Sequence, residues 1–203
     1  VIDERLTFAL QQQLLEWRAE LATGAERVGW KIGRGTEAEP WGPVLGHLTS
    51  ATRLDPGGVF RAAGTIDLRV DGELAIEVGP EGEAGGFAAA LELVDLDRPA
   101  DDVEAVVASN VFHRAFVLSA SLPHLPDPLR ARVLVDGVRR AEGAAAYEPA
   151  LLRRAAELLA AAGERLEPGD RVITGAIVQV PVAAGNEVEV DLGDLGRLSV
   201  SIT

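Results

Sequence analysis

Apolar and polar residues alternate most regularly between residues 66 and 78. Ile66, Leu68, Val70, Leu74, Ile76 and Val78 fall on even positions, while Asp67, Arg69, Asp71, Glu73 and Glu77 fall on odd ones. That is the two-residue period of a strand, which sends successive side chains to opposite faces. A helix is expected on each side of a strand-rich middle. Leu6, Leu10, Leu14, Trp17 and Leu21 recur at three- and four-residue spacing ahead of Gly24, which predicts a first helix with one apolar face. Leu151, Leu152, Ala155, Leu158, Leu159 and Ala162 repeat the pattern between Pro149 and Gly163, predicting a helix over 148–162 with proline near its start and glycine at its end. Val28, Trp30 and Ile32 alternate with Gly29, Lys31 and Gly33, a short strand that sets Lys31 opposite the large apolar side chains. Runs over 130–135 and 138–142 flank Asp136-Gly137, a pair suited to a type I′ hairpin turn. From Arg171 onward the chain breaks into short alternating segments that predict further strands.

Length and composition narrow the picture. A chain of 203 residues with 47% hydrophobic content buries a substantial core, so one compact domain over 1–203 is expected, with the helix of 1–24 packed on it. Nineteen Lys and Arg stand against 32 Asp and Glu, a net charge of −13, without a basic cluster; a nucleic-acid partner is not expected. The absence of cysteine excludes disulfides, thiolate metal sites and a cysteine nucleophile. No apolar run reaches membrane-spanning length, so no membrane partner is expected and a cytoplasmic location is.

The same alternation raises a chemical question, because Asp71 and Glu73 share a strand face. A solvated face of an antiparallel sheet accounts for such a pair. So does a hard divalent cation, which offsets their repulsion and takes carboxylates together with waters and substrate oxygens. On the second reading a third ligand is expected nearby in space.

Several short runs in a fixed order carry a resemblance. "GWKIG" (Gly29 to Gly33), "GPVLGHL" (Gly42 to Leu48), "DGELA" (Asp71 to Ala75), "AALELVD" (Ala89 to Asp95), "ASN" (Ala108 to Asn110) and "RVITGA" (Arg171 to Ala176) together resemble the fumarylacetoacetate hydrolase superfamily. The branch most similar is that of 2-keto-4-pentenoate hydratases and 4-oxalocrotonate decarboxylases. The resemblance implies an α+β fold, a mixed β-sheet roll or sandwich of the fumarylacetoacetase C-terminal-like type with peripheral helices. It implies Mg²⁺ or Mn²⁺ held by Asp71, Glu73 and Glu92. It also implies Lys31 as a catalytic group for enolate stabilisation or proton transfer, with Asn110 and Thr174 as groups near the substrate. The activity implied is hydration of a 2-hydroxy-2,4-dienoate in aromatic-compound catabolism. The alternatives are a decarboxylase, a tautomerase or a carbon–carbon hydrolase of acylpyruvate-like keto acids, or a subunit that has lost catalysis. The implied partners are a small keto-acid substrate and further copies of the chain, with or without a sister hydratase or decarboxylase subunit.

Three departures from the family's pattern stand out. Asp71 occupies a position where glutamate is usual, one methylene short. Nineteen positions separate Glu73 from Glu92, a shorter gap than the hydratases have, as though a loop were trimmed. Val111, Phe112 and His113 follow Asn110 where small or hydroxyl-bearing residues are usual, which adds apolar bulk near a substrate carboxylate. The histidines His47, His113 and His124 show no metal-ligand spacing, so each is expected to be a core or surface residue.

Overall fold

The structure, a computed structural model, describes residues 3–34 and 42–203. In chain order its elements are α1 (Glu4–Ala22), β1 (Arg27–Gly33), β2 (Val44–Thr49), β3 (Gly58–Phe60), β4 (Leu68–Val78), β5 (Ala84–Asp95), α2 (Val103–Ala108) and β6 (His113–Leu118). There follow β7 (Leu129–Val135), β8 (Val138–Ala145), α3 (Ala150–Ala162), β9 (Arg171–Ile173), β10 (Val178–Pro181), β11 (Glu187–Asp191) and β12 (Arg197–Ile202). One sheet has seven strands, with the path β2-β1-β9-β4-β5-β6 and β10 paired beside β4; the other has five, in the order β3-β12-β11-β7-β8. This is the mixed-sheet α+β architecture expected from the sequence.

Both periodic helices form where the pattern places them. Asp3 caps α1 by accepting from the Arg5 amide, which satisfies one of the free N–H groups at a helix start. α3 ends at Gly163 in the left-handed region, where glycine meets no Cβ penalty. Asp136 and Gly137, at φ 54° and 73°, make the hairpin between β7 and β8. Two expectations need correction. Strand β4 begins only at Leu68, and Ile66, which shares its parity, is 76% exposed. A further helix, α2, lies between β5 and β6; six residues make too few turns to leave a periodic signature.

Strand β4 organises the larger sheet. It pairs antiparallel with β5 along its whole length, opposing Asp71 to Glu92 and Leu74 to Ala89. Its other edge is shared: β9 pairs with Ala75–Glu77 and β10 with Arg69–Gly72. Between them the chain leaves the sheet over residues 174–177, held by bonds from the Thr174 amide to Leu74 O and from the Ile177 amide to Gly72 O. The even face of β4 joins the main apolar core, which runs from Leu14 and Trp17 of α1 to Val200 and Ile202 of β12. The odd face turns inward on itself. Beyond the carboxylates it is filled by Ala75, Ala88, Ala90, Phe116, Leu118, Ile173 and Leu48, and the small alanines let the sheet curl tightly. Thr52 and Leu54, just past β2, exchange backbone hydrogen bonds with Phe116 on β6. The two ends of the strand path therefore meet at a seam.

A buried polar cluster locks β1, and with it Lys31, into this frame. Asp170, 4% exposed, accepts from Arg27 Nε and Nη2 at 2.7 and 2.6 Å, from the Trp30 indole at 3.2 Å and from the Glu167 amide at 2.8 Å. The Arg27 guanidinium sits 5.5 and 5.4 Å from the ring centres of Trp17 and Trp30, within cation–π range, so α1 is tied to the same point. Replacing Asp170 with alanine leaves the arginine and the indole short of their acceptor. We expect Asp170→Ala to lower unfolding free energy by about 3 kcal/mol in a denaturant titration, the low end for breaking a buried pair. Glu164 and Glu167 stay within 3.7 and 3.8 Å of Arg27 and limit the loss.

Candidate metal centre

Strand register decides the centre. Asp71 and Glu73 lie on one face of β4, and Glu92 lies directly across from Asp71 on β5, so all three carboxylates point the same way. One oxygen from each lies within 4.8 Å of the others. They are 5%, 2% and 0% exposed, so the solvated-face reading of the alternation is wrong. The short spacing before Glu92 is explained too: β4 and β5 form a direct hairpin, with no excursion between them.

Each carboxylate is only partly satisfied by protein donors. Glu73 Oε2 accepts from the Gly175 amide at 2.7 Å, in the segment where the chain leaves the sheet after β9. Glu92 Oε1 lies 2.6 Å from Lys31 Nζ and 2.6 Å from His113 Nδ1. Asp71 Oδ1 and Glu92 Oε2 are buried without a hydrogen-bond partner. Such orphaned oxygens are costly, and both belong to the carboxylates that approach one another.

Charge follows from burial and contact. Asp71 is pushed up to about 7, by burial first and then by Glu92, against Lys31 and a hydrogen bond with Gln179. Glu73 is pushed well above the usual carboxylate range by burial, Glu92 and Asp71. Burial works to raise Glu92 as well, but Lys31 and His113 outweigh it and the net shift is downward. Without a cation the cluster therefore favours ionisation of Glu92 beside Lys31 and opposes it at Asp71 and Glu73. A divalent ion supplies the positive charge that those two carboxylates lack. The all-oxygen donor set suits Mg²⁺ or Mn²⁺, so the residues present fit such an ion.

Above the carboxylates opens a cavity of about 240 Å³. Lys31, Asp71, Glu73 and Gln179 contribute polar groups to it, Val94, Leu96, Val111 and Phe112 an apolar wall, and Arg34 and Arg98 two guanidinium groups. Lys31 Nζ also donates to Val111 O at 2.9 Å. That carbonyl is presented by an unusual turn: Asn110, Val111 and Phe112 have φ of 64°, 53° and 63°, a left-handed run that costs about 1–2 kcal/mol per residue.

Lys31 thus stands where the sequence reading sets it, but Asn110 and Thr174 do not reach the cavity with their side chains. Asn110 accepts from the His47 amide at 2.7 Å and donates to His47 O at 3.1 Å; both its ends are spent on holding the strained turn against β2. Thr174 Oγ1 donates to Leu74 O at 3.1 Å and lines a neighbouring cavity with Tyr147 and Leu151. The residues after Thr174, Gly175 and Ala176, are the ones that line the carboxylate cavity. Gly46 opposes Lys31 across β1 and β2, and a Cβ there would lie 2.6 Å from Asn110 Oδ1 and 2.7 Å from Lys31 Cγ. Only glycine leaves room for both.

His113 is the residue that the sequence reading set aside. His124 is exposed and His47 is buried, matching the surface and core roles expected of them, but His113 is buried against Glu92. Strand alternation conceals it. Phe116 opposes Glu92, yet a bulge at Arg114 shifts the register so that His113 opposes Val94 and returns to the carboxylate face. The one available signal was the proximity of a histidine to the "ASN" motif.

No protein-family model matches the chain, and no curated protein sequence does. Solved structures match it over most of its length. The 4-oxalocrotonate decarboxylase from Pseudomonas putida G7, complexed with magnesium and adipate, superposes with a TM-score of 0.84 at 24% identity, covering 98% of this chain and 86% of that one. The fumarylpyruvate hydrolase from Pseudomonas aeruginosa, in complex with Mn²⁺ and pyruvate, has a TM-score of 0.64 at 18% identity over 88% of this chain and 90% of that one. The 2-hydroxyhepta-2,4-diene-1,7-dioate isomerase from Mycobacterium marinum has a TM-score of 0.62 at 16% identity, over 88% and 76% respectively. These likenesses show the fold, and it is the one that the resemblance to the fumarylacetoacetate hydrolase superfamily implied.

The buried carboxylates predict an inverted response to mutation. An acid whose pKa is about 7 in the folded protein and about 3.9 when unfolded holds more protons in the folded state across that window. The stability it contributes is full below about pH 4, is lost progressively as pH rises through the window, and is wholly lost above about pH 7. Asp71→Asn should therefore raise the melting temperature of metal-free protein at pH 8, and by less at pH 5. In the wild type, added Mg²⁺ should raise the melting temperature more at pH 8 than at pH 5.5, because fewer protons need displacing. Glu73→Ala should abolish that metal-dependent rise. A metal response independent of pH would contradict this assignment.

Proposed function

We propose that this chain is a divalent-metal-dependent lyase acting on a 2-oxo acid, with Mg²⁺ or Mn²⁺ held by Asp71, Glu73 and Glu92. The observation that carries the reading is the orphaned oxygens Asp71 Oδ1 and Glu92 Oε2 within a cluster of three buried carboxylates, two of which line a cavity with Lys31. An ion bound there acts as a Lewis acid toward a carbonyl oxygen.

The remaining chemistry belongs to the protein. Lys31, anchored by Glu92 and the Val111 carbonyl, is a preorganised donor for an oxygen on which negative charge develops. Val94, Leu96, Val111 and Phe112 exclude water from the carbon chain of the substrate. Arg34 and Arg98 also line the cavity but are ion-paired to Glu148 and Asp97 respectively, so their charge is met within the protein.

The apolar wall of Val94, Leu96, Val111 and Phe112 favours decarboxylation of a 2-oxo dicarboxylate over hydration of a 2-hydroxy-2,4-dienoate. In 2-oxohex-3-enedioate the C5–C6 bond breaks, its electron pair moves through the C3–C4 double bond to the C2 oxygen, and carbon dioxide leaves. Uptake of one proton on that oxygen gives 2-hydroxypenta-2,4-dienoate. An apolar wall favours this step, because the charge on the leaving carboxylate is lost. The fold likeness to the 4-oxalocrotonate decarboxylase supports the same choice. Hydration remains the second reading, supported by the similarity of the sequence motifs to the hydratases.

The test is product analysis with each substrate in the presence of Mg²⁺ or Mn²⁺. Release of carbon dioxide from 2-oxohex-3-enedioate is expected, and Lys31→Met should lower kcat by about 10²-fold or more even at Mn²⁺ concentrations that saturate its weakened metal site. Formation of 4-hydroxy-2-oxopentanoate from the dienol, without carbon dioxide release from the dicarboxylate, would establish the hydratase instead. Turnover of neither substrate would remove the proposed lyase activity.

A further inference from the structure

We infer that His113 is a positioning residue for the metal centre, and that a hydrogen-bonded chain Thr52–His113–Glu92 fixes the carboxylate that completes it. The inference rests on the reading of Asp71, Glu73 and Glu92 as metal ligands, and adds residues that the motif resemblance does not supply.

Geometry determines the polarity of the chain. A carboxylate that ligates a metal accepts only, so as a ligand Glu92 takes the proton of His113 Nδ1, 2.6 Å from Oε1, as an acceptor. Nε2, 2.9 Å from Thr52 Oγ1, is then the acceptor and the threonine hydroxyl the donor. The imidazole is neutral in this arrangement. A neutral ring with its tautomer set from behind is a rigid, directional donor.

The consequence falls on the other oxygen of Glu92. Lys31 and His113 both donate to Oε1, one from β1 and one from β6, on opposite sides of β5 in the strand order. Two donors from different strands fix the plane of the carboxylate and commit Oε1 to the protein. Oε2 is left buried and unpartnered, available to a cation. Lys31 alone would leave the carboxylate free to pivot about a single contact, and the His113 ring removes that freedom. The ring is itself clamped, with Phe116 at 5.8 Å between ring centres and Thr52 on the seam where the chain after β2 meets β6.

Outer partners of metal ligands typically alter affinity by about 10- to 100-fold when removed. Calorimetric titration of Mn²⁺ should therefore show His113→Phe, which keeps the ring volume and loses both nitrogens, binding about 10- to 100-fold more weakly than wild type. His113→Asn places an amide N–H near the position of Nδ1 and should recover most of the loss; a merely space-filling role would not produce that rescue. Thr52→Val, which removes the donor to Nε2, should also weaken binding. Metal-free melting temperatures of all three variants report whether each one folds.

Wild-type binding matched by a folded His113→Phe variant would overturn the positioning role while leaving the metal centre standing. Failure of the wild type to bind Mn²⁺ at millimolar concentration would remove the metal centre, and the role of His113 with it. Should His113→Phe not fold, unchanged Mn²⁺ affinity in Thr52→Val would overturn the proposed chain, and weakened affinity would support it.

Discussion

Three carboxylates held together out of water are the constraint around which this molecule is arranged. Each resists burial in its charged form, and each raises the cost for its neighbours. The protein places them on two adjacent strands in register, where the backbone ladder forbids them to separate. It compensates from three directions: Lys31 from β1, His113 from β6 and the Gly175 amide from the segment after β9. These strands span the larger sheet, so the site and the sheet cannot be taken apart. The compensation also stops short, leaving two oxygens without protein donors.

Several irregularities of the fold become intelligible as supports for that arrangement. The left-handed run at Asn110, Val111 and Phe112 is unfavourable in isolation, and a β-branched residue at positive φ is unusual. It persists because Asn110 is bonded at both ends to the backbone of His47. What the strain accomplishes is specific: a carbonyl faces Lys31 and an aromatic side chain faces the cavity. The bulge at Arg114 is a second irregularity, and it turns His113 to the carboxylate face. The break between β9 and β10 is a third, and it frees the Gly175 amide for Glu73.

The two faces of β4 divide the work between stability and chemistry. Its even face joins the large core with α1, α3 and the smaller sheet, where apolar burial supplies most of the folding free energy. Its odd face carries the carboxylates and then a short stack of alanines. Burying charge on one face requires a rigid scaffold, and the other face provides it. The Asp170 cluster plays the corresponding part for β1, tying α1 to the strand that bears Lys31.

Much of this was legible in the chain itself, and the rest was not, for one physical reason. Periodicity is a local property, so the alternation around Asp71 and Glu73, both long helices and the Asp136-Gly137 turn could be read directly. Ordered motifs added Lys31 and Glu92 by similarity. Whether the odd face of β4 met water or protein depended on how the sheet curled, which no single segment encodes. The side-chain partners of Asn110 and Thr174 were hidden on the same ground, because His47 and Leu74 lie 63 and 100 residues away in sequence. His113 was hidden by a bulge that reverses strand parity, and a bulge is settled by pairing with a neighbouring strand. The sequence by itself determined which residues could form strands and which carried charge. Only the tertiary structure decided that three of those charges would face one another without water, because register and curvature are set by contacts between segments far apart in the chain.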